Sequence, residues 1–442
     1  MINANDCGII IVVIKNVYTN EKIGGKSMKF DWKKIVTGAT TAILGASVAA
    51  SVLLPAQEVL AQEETLIISA AGHYDYVIEN IEAFEEEHGV SVEVWDTDMF
   101  EVLDGLSLDG PAGTGADVVI APYDRIGSLS MQGLIQPVTL NEDAGYDETD
   151  QQQVTMDGQI YGAPTVIETL VMFYNTELLD AAPETFEELE AISQDERFAF
   201  EGEEGRNVGF LTNWVDFYMT YGLLAGYGGY VFGEDGTNTE DIGLNSEGAI
   251  EAIEYATNWY QNTWPQGMLD VTSATDFINQ SFMEGNTAAV ITGPWMANDF
   301  NTSGIPYAAT TIPTLPNGEE YKPFGGGKAW AISAFTEKTE LAQEFLNWVT
   351  SEEQQTIMYE RLGEVPANQV AREQAAQSDS ELTAAVIEVY ENAVPMPNIP
   401  QMAEVWVGAE SLMFDAASGT KTAEESANDA VELITQTIQQ NY

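Results

Sequence analysis

Four stretches of the chain place aromatic rings beside carboxylates or a guanidinium directly after an apolar run. In ADVVIAPYDRIG the run ends at Ala121 and turns through Pro122 into Asp124 and Arg125. In NVGFLTNWVDFYMT it ends near Leu211 and passes Trp214 to reach Asp216 and Tyr218. TAAVITGPWMAND turns through Gly293 and Pro294 into Trp295, and Trp406 opens a helical run behind the rigid lead-in NIP at residues 398–400. Glu168, in APTVIE, adds a carboxylate. Flat π faces flanked by carboxylates, Arg and amides suit a polyhydroxylated ring: its C–H face packs on the platform while its hydroxyl rim takes hydrogen bonds. The competing role for any Trp is core packing, and Trp214, Trp259, Trp264, Trp330 and Trp348 are read that way. The competing role for Arg125 is an ion pair that holds its loop.

Catalytic templates find no match. GGGK at residues 325–328 lacks the outer Gly and the following Ser or Thr of a phosphate loop, and GYGGYVFG misses the spacing of a dinucleotide fingerprint. The histidines are His73 and His88 and the cysteine is Cys7, too few for a disulfide framework or a Cys/His zinc site. DTD at 96–98 and NEDAGYDETD at 141–150 do not follow the ligand pattern of a calcium loop. No cofactor and no metal are expected. A secreted glycosidase acting on α-glucans would use the same rings and carboxylates, but no acid pair stands out as its catalytic couple.

Fifteen Lys and Arg face 71 Asp and Glu, a formal net charge of -56. Such a field repels phosphates and anionic lipid, so nucleic acid is excluded as a partner. It also implies a strongly hydrated surface suited to high salt or alkaline medium. At 442 residues with 45% hydrophobic content, two globular lobes are expected.

Residues 28–61 read as a secretion signal: Lys29, Lys33 and Lys34 precede an apolar stretch from Ile35 to Leu54, then a small-residue cleavage site ending at Ala61. An uncleaved anchor is the alternative. No Cys follows the stretch, so no lipobox is available. Residues 1–27 are read as an untranslated extension, with Met28 the expected start. Residues 1–61 hold six Lys and four acids, which leaves nine basic and 67 acidic residues.

The elements that must position these groups follow an α/β pattern. Leu66 to Ser69 form a strand, Val77, Ile81 and Phe84 mark a helix closed by Gly89, and Val90 to Val94 form the next strand, a βαβ unit. In open α/β sheets ligands sit beyond the carboxyl ends of the strands, where the aromatic loops fall. Ile250, Ile253, Thr257 and Tyr260 predict one helical face, Ile278 and Phe282 another. Ser351 with Gln354 predicts a capping box. IPTLPNGEEYKPFGGGKAW, at 312–330, reads as a linker.

The segments PYDRIGSLSMQGLIQPV, DGQIYGAPTVIETLVMFYNTELL, GGYVFG, FMEGNTAAVITGPWM, AQEFLNWVTSEE and MPNIPQMAEVWVGAESLMFDAASG resemble the extracellular solute-binding proteins of ABC transporters, and within them the maltose/maltodextrin-binding proteins. The resemblance spans nearly the whole chain after the signal, and the last segment is its most diagnostic piece. It implies a two-lobe periplasmic-binding-protein-like fold (type II) with three inter-lobe crossings, near residues 166–169, 323 and 367. One lobe would comprise 62–166 with 325–370, the other 167–324 with 371–442. It further implies a monomer that binds a maltooligosaccharide outside the cell and delivers it to ABC permease subunits by hinge closure. Asp124, Arg125 and Glu168 match hydroxyl-binding positions, Asp216 and Tyr218 a polar and aromatic pair, and Trp295 and Trp406 the stacking platforms. The chain departs at Ala121, Val407 and Glu410, where the family has Trp, Tyr and Arg, and at His73 and Tyr74, where Asp and Lys are expected. These changes bear on stacking and hydroxyl contacts, with Tyr74 a candidate replacement platform. Another oligosaccharide, or a polyamine drawn by the negative field, is the alternative ligand.

Overall fold

The protein is described by a computed structural model over residues 65–442. The signal at 28–61, the extension at 1–27 and Cys7 lie outside the described residues. Thr65–Ser69 (β1) runs parallel to Ser91–Trp95 (β2) on one side and Val118–Pro122 (β3) on the other. Tyr74–His88 (α1) and Met99–Ala112 (α2) make the crossovers. Gly89 ends α1 in the left-handed conformation, φ 66°, which a residue without Cβ adopts freely. Tyr76, Val77, Ile81 and Phe84 bury the inner face of α1, as the spacing predicts. Tyr123–Met131 (α3) leaves the end of β3 at once, and Ala163–Glu168 (β4) joins the same sheet further along.

A second sheet carries Val171–Asn175 (β5) at its centre, between antiparallel neighbours. Phe210–Leu211 (β6) leads through a short loop into Phe217–Gly226 (α4). Ala289–Thr292 (β7) and Tyr307–Thr310 (β8) complete the order β8-β5-β7-β6. Trp214, Trp259 and Trp264 are 0–2% exposed and pack on Phe210, and Trp330 is fully buried in the first lobe's core. Trp348 packs on Phe84 and Phe345. The packing role expected for these five rings therefore holds.

Three local expectations change. The buried face of helix Glu247–Asn258 is Ala249, Ala252, Ile253 and Ala256, with Ile250 half-buried at its edge, and the expected Tyr260 is buried from a π turn at Trp259–Thr263 that follows the helix. Ser351 caps the N–H of Gln354, but the Gln354 side chain does not reach back; its Oε1 accepts from the Tyr76 hydroxyl at 3.2 Å instead. The second half of the expected linker is a ten-residue strand, Phe324–Ser333 (β9). Its glycines are there for close approach: a Cβ at Gly327 would overlap the carbonyl oxygen of Val166.

That approach builds a belt. β9 pairs antiparallel with β4, Gly326 opposite Glu168 and Lys328 opposite Val166. On its other edge β4 bonds residues 365–367, with Ile167 N–H to Val365 O and Ala367 N–H to Thr165 O, both 3.0 Å. Val394–Pro395 (β10) adds a parallel partner to the start of β9. The chain then ends in helices, among them Met402–Ala409 (α5) and Ala423–Asn441 (α6), which pack on each other.

Candidate ligand-binding cleft

Seven of the eight side chains named from the sequence line one cavity of about 550 Å³: Asp124, Arg125, Glu168, Asp216, Tyr218, Trp295 and Trp406. This volume lies within the range of about 300–1,000 Å³ usual for small-molecule sites. Each residue arrives by a local rule. Asp124 and Arg125 occupy the first turn of α3 at the strand end of β3, and Glu168 is the last residue of β4. Asp216 is the N-cap of α4, its Oδ1 accepting the N–H of Tyr218 at 2.8 Å. Trp295 lies in the 3-10 turn after β7, and its ring covers Gly293, where a Cβ would collide with it. Tyr218 stands beside it, ring centroids 6.1 Å apart. Trp406, on α5, meets Phe217 and Phe324 edge-on and donates its indole N–H to Asp124 Oδ2 at 2.9 Å.

Tyr74 is the correction. As the first residue of α1 its side chain follows the helix and packs against the first lobe's core, outside the cavity lining. Phe100, in the first turn of α2, lines the cavity in its place. It is 45% exposed, and the Arg125 guanidinium lies 5.5 Å from its ring centroid. Among the described residues Arg125 has no carboxylate within 4.0 Å, so its partner is a ring rather than an ion. The departures at Ala121, Val407 and Glu410 are not among the residues that line the cavity either: Ala121 is buried in β3, Val407 is exposed on α5 and Glu410 is exposed at its C-terminal end.

Sequence reasoning also missed the floor. Lys328 lines the cavity with its ammonium 2.6 Å from Glu168 Oε1 and 3.4 Å from Glu364 Oε2. The first is a short charge-assisted contact, so the ammonium is the main partner of the Glu168 carboxylate. His73, 1% exposed, faces Glu364 through Nε2 at 3.2 Å. The available signal was that Lys328 is one of only nine basic residues after the signal.

Burial dominates the electrostatics. Desolvation raises the carboxyl pKa of Asp124 against the opposing pull of Arg125 and the Trp406 N–H. Asp216 is exposed at the cleft yet surrounded by protein atoms, and desolvation raises it against the backbone N–H groups of Tyr218 and Met219. Tyr218 stays a phenol, pushed far up by burial and then by Glu168, Asp124 and Asp216. The cleft therefore presents aromatic faces, neutral hydroxyl and amide groups (Asn213, Asn279) and carboxylates, a set suited to hydroxyl-rich ligands.

Comparison with known proteins agrees with this geometry. Residues 79–384 match the model of the bacterial extracellular solute-binding protein family. The maltodextrin-binding protein MdxE of Bacillus subtilis (strain 168) is 51% identical over 381 residues, 86% of this chain and 91% of its own. A maltooligosaccharide ABC transporter solute-binding lipoprotein of Streptococcus pneumoniae (strain ATCC BAA-255 / R6) is 45% identical over 415 residues, 91% of this chain and 98% of its own. The crystal structure of MalX from Streptococcus pneumoniae in complex with maltopentaose superposes with a TM-score of 0.83 at 46% identity, covering 85% of this chain and 100% of that one.

Proposed function

Because the chain belongs to the bacterial extracellular solute-binding protein family, we propose that it is a maltodextrin receptor, capturing maltooligosaccharides outside the cell and presenting them to the permease of an ABC importer. The carrying observation is the meeting of Trp295, Trp406 and Tyr218 with Asp124, Arg125, Glu168 and Asp216 in one cleft. Trp295 and Trp406 stack on glucose rings. Asp124 accepts sugar hydroxyls and is held ready by the Trp406 N–H; Arg125 donates to them from its seat on Phe100. Glu168 accepts from the belt, and Asp216 and Tyr218 complete the polar rim. Phe100 replaces Tyr74 as the first-lobe platform.

The lobes are residues 62–166 with 325–370 and 167–324 with 371–442. Sugar that touches both favours the closed arrangement over the open one, and only that preference moves the equilibrium. The receptor has no catalytic step, and its export follows the signal at 28–61.

Calorimetric titration with maltotriose, with raffinose and spermidine as controls, tests the reading. Saturable maltotriose binding is expected; a folded protein that gives no heat with it, or binds spermidine instead, overturns the ligand. New reducing ends after prolonged incubation with maltotetraose would make it a glycosidase.

A further inference from the structure

GGGK resembles no phosphate loop closely enough to bind one, yet its lysine occupies a singular place. Glu168 ends β4, Lys328 lies in β9, and Glu364 immediately precedes the segment 365–367 that bonds the far edge of β4. Each of the three belt segments thus contributes one charged side chain, and the single ammonium lies between the two carboxylates. All three are largely buried, with side-chain exposures of 15% for Lys328, 10% for Glu168 and 8% for Glu364. Lys328 is also the wall between the main cavity and a second of about 240 Å³ lined by His73, Asp96 and Asp98, which shares Lys328 and Met99 with it. A cation that served packing alone would be surrounded by satisfied partners. Here His73 Nδ1, whose ring faces Glu364 through Nε2, is buried without a hydrogen-bond partner.

We infer that Lys328 is a positioning residue for the sugar site: its ammonium fixes the Glu168 carboxylate in the cleft as a hydroxyl acceptor and ties that acceptor to the belt on which the lobes move. The inference rests on the maltodextrin reading above. Its physical basis is the balance at Glu168. Burial raises that carboxyl, Lys328 is the largest influence holding it down, and Glu364 adds to the raising. Without the ammonium, a buried carboxyl with Glu364 and the Tyr218 phenol beside it, and Asp124 in the same cleft lining, takes up a proton at higher pH. A protonated acid loses an acceptor site, and sugar hydroxyls lose their charge-assisted partner.

The test is maltotriose affinity by calorimetry between about pH 6 and pH 9 for the wild type, Lys328→Met and Lys328→Arg, with folding checked by thermal unfolding. Lys328→Met is expected to weaken binding about tenfold or more at neutral pH, and the deficit is expected to shrink as pH rises and Glu168 ionises. Lys328→Arg recovers part of the affinity. Adding Glu168→Gln to Lys328→Met removes the pH dependence, which separates Glu168 from Glu364 and His73. A loss that is equal at every pH, or no loss, overturns the inference: the ammonium would then contact sugar directly or serve stability alone. Wild-type protein that does not bind maltotriose overturns the maltodextrin reading and the inference together, so the two failures are told apart by the wild-type arm. If Lys328→Met does not fold, Lys328→Gln, which keeps a donor without the charge, carries the same comparison.

Discussion

Two buried clusters of like composition fasten the belt, and they are finished to different degrees. Behind it, Arg372 bonds Asp150 Oδ2 at 2.8 Å through one nitrogen and Asp147 through another, while its Nε and Nη2 reach the carbonyls of Pro366 and Ala367. Asp150, fully buried, also accepts from the Tyr390 hydroxyl at 2.9 Å. Both carboxylate oxygens are satisfied. In front, facing the cleft, one ammonium, that of Lys328, serves two carboxylates, and His73 Nδ1 is left without a hydrogen bond. A buried network with every member paired rigidifies a fold, whereas the front cluster borders the cleft through Glu168 and Lys328. The completed cluster belongs to stability and the incomplete one to binding.

The largest effect that would break this division is expected from Arg372→Met. It leaves Asp150 buried with its main counter-charge gone, a loss of about 3–5 kcal/mol, read as a lower urea midpoint. Burial already raises Asp150 against the pull of Arg372, so the variant's penalty should shrink as pH falls and the acid takes a proton. Maltotriose affinity of the folded fraction should stay near the wild-type value. A variant that is stable but binds weakly would reverse the roles of the two clusters.

Next in size is Trp406→Ala. The substitution removes a stacking face and the N–H that Asp124 accepts, and truncation of a central anchor typically costs about 2–4 kcal/mol of binding. Calorimetry should show the loss, with little change in the urea midpoint because Trp406 is only partly buried. Unchanged affinity would remove this ring from the site.

Much of this site was legible because it obeys local rules. Strand ends locate Asp124 and Trp295, and MPNIPQMAEVW locates Trp406 by resemblance. Tyr74 was misplaced because a one-residue difference at a helix start turns a side chain from loop to core; the loop residue beside it, His73, is the one that reaches the Lys328 cluster. Phe100 gave no strand-end signal, since it sits inside the first turn of α2. The Lys328 cluster was illegible for a different reason: His73 and Glu364 are 291 positions apart and Lys328 and Glu364 are 36 apart, so only the paired belt brings them together. Gly-rich sequence at 325–327 reads as loop when its neighbours are unknown, and as strand once the Val166 carbonyl must pass within contact.

A smaller change sharpens the same comparison. Tyr390→Phe removes one donor to Asp150 and retains Arg372, so the loss should be about 1.5–3 kcal/mol of stability with affinity unchanged. An effect on affinity would show that the rear cluster also governs the cleft.

The subtlest difference lies in the sign of the pH dependence. Glu364 is held down to about 2 by Lys328 and then His73, although burial, the largest influence, works the other way. A carboxyl lowered from 4.5 contributes stability that is fully present above about pH 4.5 and lost as pH falls through about 2. Asp150 has the opposite sign: raised above 3.8, it contributes stability that is lost as pH rises through its folded pKa. Urea midpoints followed from neutral to acid pH should therefore fall less steeply for Glu364→Gln than for the wild type, and more steeply for Asp150→Asn. If both variants tilted the curve the same way, the two clusters would share one electrostatic character, and their division into a binding and a structural set would rest on hydrogen-bond satisfaction alone.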